Sequence, residues 1–98
     1  MALKETYDFT ILENEAESIV TAELMKQIGA IDDARFCLCE DCVLDMATLA
    51  LNSVKPLYRV SLLGTMYTHA IGEGAYHEEA SKAVAIAIAK VHAKPSHD

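Results

Sequence analysis

Basic residues are scarce in this chain: eight Lys and Arg stand against fifteen Asp and Glu in 98 residues, for a formal net charge of −7. That imbalance argues against direct DNA binding, because counterion release from phosphates needs cationic side chains in number. Long apolar runs are missing too. None approaches the roughly eighteen residues of a membrane span, and the opening MALKETYDFT lacks the basic-then-apolar pattern of a signal peptide, so a cytoplasmic protein is expected. The few glycines form no phosphate-cradling loop behind a strand and no elbow around Ser61 or Ser81. Paired carboxylates occur at Asp32-Asp33 and Glu78-Glu79, where loop or helix-surface charge is expected, and His77 beside the second pair reads as a solvated helix start. A non-enzymatic protein is therefore expected. Repeats, low-complexity segments and linkers are absent as well, which leaves a single domain over residues 1–98.

What is present is an apolar fraction of 52%. A domain of this length buries roughly 60 to 70% of its unfolded surface, so a second subunit or a metal would add useful stability. Phe9, Leu12, Ala16, Ile19, Val20, Leu24 and Ile28 recur at helical steps and predict a first helix that ends at Gly29 in a left-handed cap. Residues 30–39 have no helical period and read as an extended connection. A second helix over Asp41–Asn52 is apolar almost all round, with one polar stripe at Asp41, Asp45, Thr48 and Asn52. Pro56 stops it, residues 58–62 read as extended, and residues 64–74 read as a loop carrying Tyr67 and His69. The last element, from about Tyr76 to Ala93, alternates at its centre like a strand. Its alanines and the preceding Glu78, Glu79 and Lys82 favour helix. A helix apolar on all sides needs a cover, and a second copy of the chain is a natural one, with Val84, Ile88 and Val91 near the interface or core. The expected fold is mainly α, three principal helices with a short extended segment, forming a homodimer.

All three cysteines lie in CLCEDC, as Cys37, Cys39 and Cys42. In a reducing compartment an odd, closely spaced set favours thiols or metal ligands over disulfides. Zinc takes four such ligands in a tetrahedron, so one more is required, from His69, His77, His92, His97, Glu40 or Asp41. The plainer alternative is a buried small hydrophobe at Cys42 beside two incidental thiols. A second constellation follows the cysteines. Asp45, Thr48 and Asn52 share a helical face that leads into Lys55, Tyr58 and Arg59, with Tyr67 beyond, so carboxylate, amide, cations and aromatic faces gather in a short stretch. Taken singly, each of these is more often a solvated polar face, an edge tyrosine or a surface ion-pair partner.

The pattern CxCxxCxxDxxxLALN from Cys37 to Asn52, followed by Pro56 and Tyr58, resembles the signature of the late competence protein ComFB family. The likeness continues more weakly through Gly64, Tyr67 and the last helix. The family usually has two prolines before the tyrosine, where this chain has Lys55 in the first place, and a late fourth cysteine is absent here. The resemblance implies a mostly helical homodimer, zinc at the cysteine cluster, and a receptor for cyclic dinucleotides, cyclic di-GMP foremost, with links to competence, pili and motility and an unknown downstream protein partner. A zinc-stabilised structural adaptor without a nucleotide is the alternative. For the receptor, Asp45, Thr48, Asn52, Lys55, Tyr58, Arg59 and Tyr67 are the expected ligand contacts, the cations and helix termini serving phosphates and the carboxylate and amide serving purine edges.

Overall fold

The computed structural model describes residues 2–60 and 74–97. A short helix α1 (Leu3–Thr6) and a 3-10 turn (Phe9–Ile11) precede strand β1 (Glu13–Asn14) and helix α2 (Ala16–Gly29). Helix α3 (Glu40–Ser53), strand β2 (Tyr58–Arg59) and helix α4 (Ala75–Ala93) follow. The expected loop over residues 64–74 lies outside the described residues except at Gly74, as do residues 61 and 62 of the expected extended segment.

Each long helix buries one stripe. In α2 it is Ala16, Val20 and Leu24, in α3 Cys42, Met46 and Ala50, all at four-residue steps that keep side chains on one face. α4 supplies Tyr76, Ala80, Ala83, Val84, Ala87, Ile88 and Val91, a wider stripe because it lies against both α3 and α2. Alanine at 80, 83 and 87 lets the neighbouring backbones come close, while Met46, Val20 and Val84 fill the centre and are fully buried. Gln27 ties α2 to α4 by donating to the Ser81 carbonyl at 2.9 Å.

The cover for the buried stripe of the last helix is intramolecular: Val84, Ile88 and Val91 lie in the core of one chain, and Ala85, Ile86 and Ala89 face outward. The apolar centre of α4 does not by itself require a second subunit. Nor is α3 buried all round, since Leu44 and Leu49 are exposed along with Thr48 and Asn52.

The helix expected from Phe9 onward is α2, and it begins at Ala16. Phe9 and Leu12 keep the helical spacing, but they are exposed and belong to the turn and its exit. What interrupts the helix is a pairing from far along the chain. β1 and β2 form an antiparallel ladder with Glu13 opposite Arg59 and Asn14 opposite Tyr58. The Asn14 side-chain oxygen accepts from the Leu57 N–H at 2.7 Å and from the Ala16 N–H at 3.1 Å, so one amide anchors β2 and starts α2. Gly29 does not take the left-handed cap either. The chain leaves α2 through Ala30 in right-handed geometry, and Ala30 and Ile31 donate to Gln27 and Ile28, tight bonds that satisfy the terminal carbonyls. Among the described residues only Gly74 has positive φ, 62°, at the entry to α4.

Candidate metal centre and neighbouring polar depressions

Cys39 is the N-cap of α3. Its extended backbone sets Cys37 two residues back on the same side, and Cys42 enters from the first helical turn with its N–H 3.5 Å from the Cys39 Sγ. The three sulfurs thus converge for local reasons. The fourth group arrives from the other end of the chain: His97 Nε2 lies 3.3 Å from Cys37 Sγ, 3.4 Å from Cys39 Sγ and 3.1 Å from Cys42 Sγ. All four ligand atoms fall within 4.8 Å of one another.

This donor set fits zinc. A tetrahedron with Zn–S near 2.3 Å and Zn–N near 2.0 Å puts nitrogen and sulfur about 3.5 Å apart, close to the separations seen. Three thiolates and a neutral imidazole on a divalent ion would leave the centre at a net charge of −1. Four protein ligands close the coordination sphere, as in structural zinc sites, and leave no position for an attacking water. All three cysteines are free of disulfides. Burial foremost, then the neighbouring Cys37 and Cys39, pushes the Cys42 thiol up to about 12. The Cys37 thiol is drawn below its usual value, first by the Cys39 backbone N–H and then by the Cys39 and Cys42 side chains. A cation among the sulfurs is thus what would allow Cys42 to ionise near neutral pH.

The other proposed fourth ligands are placed elsewhere. His92 stacks on Phe36 with ring centroids 3.7 Å apart, clamping the segment before Cys37 to the last turn of α4. His77 sits near the start of α4, about 24 Å of helix away from the tail. Glu40 and Asp41 are exposed at the start of α3 and are not part of the clustered ligand atoms. His69 lies outside the described residues.

Among the described residues, the expected ligand contacts are spread over more than one place. Asp45 and Thr48 line an open depression of about 260 Å³ with Leu49, Lys90, Val91, Lys94 and Ser96. There Asp45 accepts from the Ser96 hydroxyl at 2.6 Å, and the Thr48 hydroxyl donates to the Leu44 carbonyl at 2.8 Å. Asn52 and Tyr58 line a different depression of about 590 Å³ that includes Asn14, Glu17 and Pro56. Lys55 is exposed, and its carbonyl accepts from the Tyr76 hydroxyl. Arg59 is committed to carboxylates, 2.7 Å from Glu13 and 2.7 Å from Glu15, and the Glu15 bond foremost raises its already high pKa. Tyr67 lies outside the described residues. Reasoning from sequence missed Lys90, Lys94 and Ser96; the basic pair at four-residue spacing near the end of α4 was the available signal.

Among curated proteins no sequence matches this chain. Among solved structures, one described as a structural characterization of the late competence protein ComFB from Bacillus subtilis is similar over 87% of this chain and 92% of that chain, with 27% identity and a TM-score of 0.69. The family profile described as late competence development protein ComFB matches residues 13–95, from β1 through the three cysteines to the end of α4, and stops short of His97. With the profile and a solved relative agreeing over the same helices, the chain belongs to the late competence development protein ComFB family.

Proposed function

We propose that the protein is a non-enzymatic cytoplasmic receptor for a cyclic dinucleotide, cyclic di-GMP foremost, that acts as a homodimer and passes its state to a protein partner in competence, pilus or motility regulation. Family membership supports the class. The observation that carries the ligand reading is the depression that combines Asp45 with Lys90 and Lys94. A cyclic dinucleotide presents two phosphates, which suit the lysines, and two purine edges, of which guanine offers a donor pair to a carboxylate. At about 260 Å³ the depression is smaller than the roughly 300 to 1,000 Å³ of common small-ligand sites. One protomer would then hold about half of a twofold ligand, and a C2 pair the whole. Asn52 and Tyr58 supply an amide and an exposed ring in the second depression, and Arg59 beside Tyr58 is the nearby cation, paired with Glu13 and Glu15.

Calorimetric titration of the zinc-loaded protein with cyclic di-GMP, cyclic di-AMP and GTP tests the reading. One cyclic di-GMP per two chains is expected, with Asp45→Ala weakening guanine ligands more than adenine ligands. Absence of binding by all three ligands would exclude it. The Cys37, Cys39, Cys42 and His97 set favours a second reading, a zinc-stabilised structural adaptor without a nucleotide, and that outcome would leave it standing.

A further inference from the structure

We propose that Asp45 is a positioning residue for the metal centre: through Ser96 it holds the tail after α4 where His97 reaches the three thiolates. The tail is then a strap fastened to α3 at two points. Cys42 and Asp45 are three residues apart in α3, a spacing that stacks side chains on one face of a helix. The adjacent residues Ser96 and His97 meet those two points in turn. The Ser96 hydroxyl donates to Asp45 Oδ2 at 2.6 Å, and His97 Nε2 stands 3.1 Å from Cys42 Sγ.

The chain between helix and strap is short and directed. α4 ends at Ala93, and Lys94 leaves it at φ −148° and ψ 81°. Pro95 fixes its own φ and keeps Lys94 out of helical geometry, so only Ser96 separates this stiff exit from the ligand. Both Ser96 and His97 are exposed, with little apolar burial to hold them. A charge-assisted hydrogen bond to a half-buried carboxylate is then one contact that orders the tail before metal arrives. Partners that orient metal ligands commonly contribute tenfold or more to affinity. This inference rests on the donor set and the Ser96–Asp45 bond and needs no nucleotide.

The test is a chelator-competition titration of the full chain with zinc(II) and cobalt(II), the cobalt absorption spectrum reporting the ligand set. Asp45→Ala and Ser96→Ala should each weaken metal binding about tenfold, toward the lower end of such effects, and leave the bound cobalt spectrum unchanged. Asp45→Asn keeps an oxygen acceptor for the Ser96 hydroxyl and should recover most of the loss. His97→Ala should weaken binding and also change the spectrum. Ser96 is exposed, so its variant reports on the strap even where Asp45→Ala impairs folding. Parental affinity in Ser96→Ala would overturn the proposal, as would Asp45→Asn binding no better than Asp45→Ala.

Discussion

Replacing His97 with alanine should remove most of the stabilisation that zinc at the candidate centre would give to the folded chain. Cys37, Cys39 and Cys42 lie within six residues, so an unfolded chain can still offer three thiolates at little entropic cost. Metal held by the unfolded state adds nothing to fold stability. His97 differs because it lies 60 residues from Cys37, and an unfolded chain recruits it only by closing that loop. Closure of a loop that long costs about 4 kcal/mol at 25 °C on chain-entropy grounds. The folded chain already sets His97 Nε2 within 3.1 to 3.4 Å of the sulfurs. Zinc should therefore stabilise the parent by up to about 4 kcal/mol more than it stabilises His97→Ala, a difference of up to roughly 15 to 30 °C in Tm for a domain of this size. Thermal unfolding followed by circular dichroism, with matched excess zinc and with chelator, measures both differences. Equal zinc shifts in parent and variant would refute the argument, because the fold-dependent ligand would then be another residue.

Met46 is fully buried where α3 meets the rest of the core, and Met46→Ala should cost about 2 to 5 kcal/mol in urea unfolding; a loss under about 1 kcal/mol would mean the site collapses around the deletion. Arg59→Ala should destabilise by about 1 kcal/mol, since a guanidinium only 27% exposed loses bonds to Glu13 and Glu15 at the two-strand ladder. An unchanged urea midpoint would show those bonds to be energetically idle. In metal-free protein near pH 8, iodoacetamide should modify Cys37 well before Cys42, because the first thiol is drawn below its usual value while the second is buried and pushed up to about 12. Peptide mass spectrometry over time gives the order, and equal rates would contradict it. Under the receptor reading, Ser96→Ala frees the Asp45 carboxylate and should tighten cyclic di-GMP binding by about threefold to tenfold. Weaker binding in that calorimetric titration would mean that Asp45 is not a ligand contact.

Helices α3 and α4 were legible to within one residue at each end, because their signals are local: apolar periodicity, a stop before Pro56 and alanine-rich propensity. Three of the four candidate metal ligands were legible for the same reason, since CxCxxC converges through the geometry of one helix start. The length of the first helix was overread. Phe9 and Leu12 continue its period, and no local pattern announces that Asn14 will bond to Leu57, 43 residues away. Nor does any local pattern announce that β1 will bring Glu13 and Glu15 against Arg59. Likewise six side chains could have completed the zinc shell on paper. Only the run of α4 across the core, and the turn of the chain at Lys94 and Pro95, brings His97 back to Cys37 and sets Ser96 on Asp45. Sequence by itself determined helices α3 and α4 and the three cysteines of the candidate centre, because spacing and propensity act over a few residues. Tertiary structure alone decided the fourth ligand, the partner of Arg59 and the division of the polar stripe, because each depends on contacts between residues about 40 to 60 positions apart that only packing of the core can set.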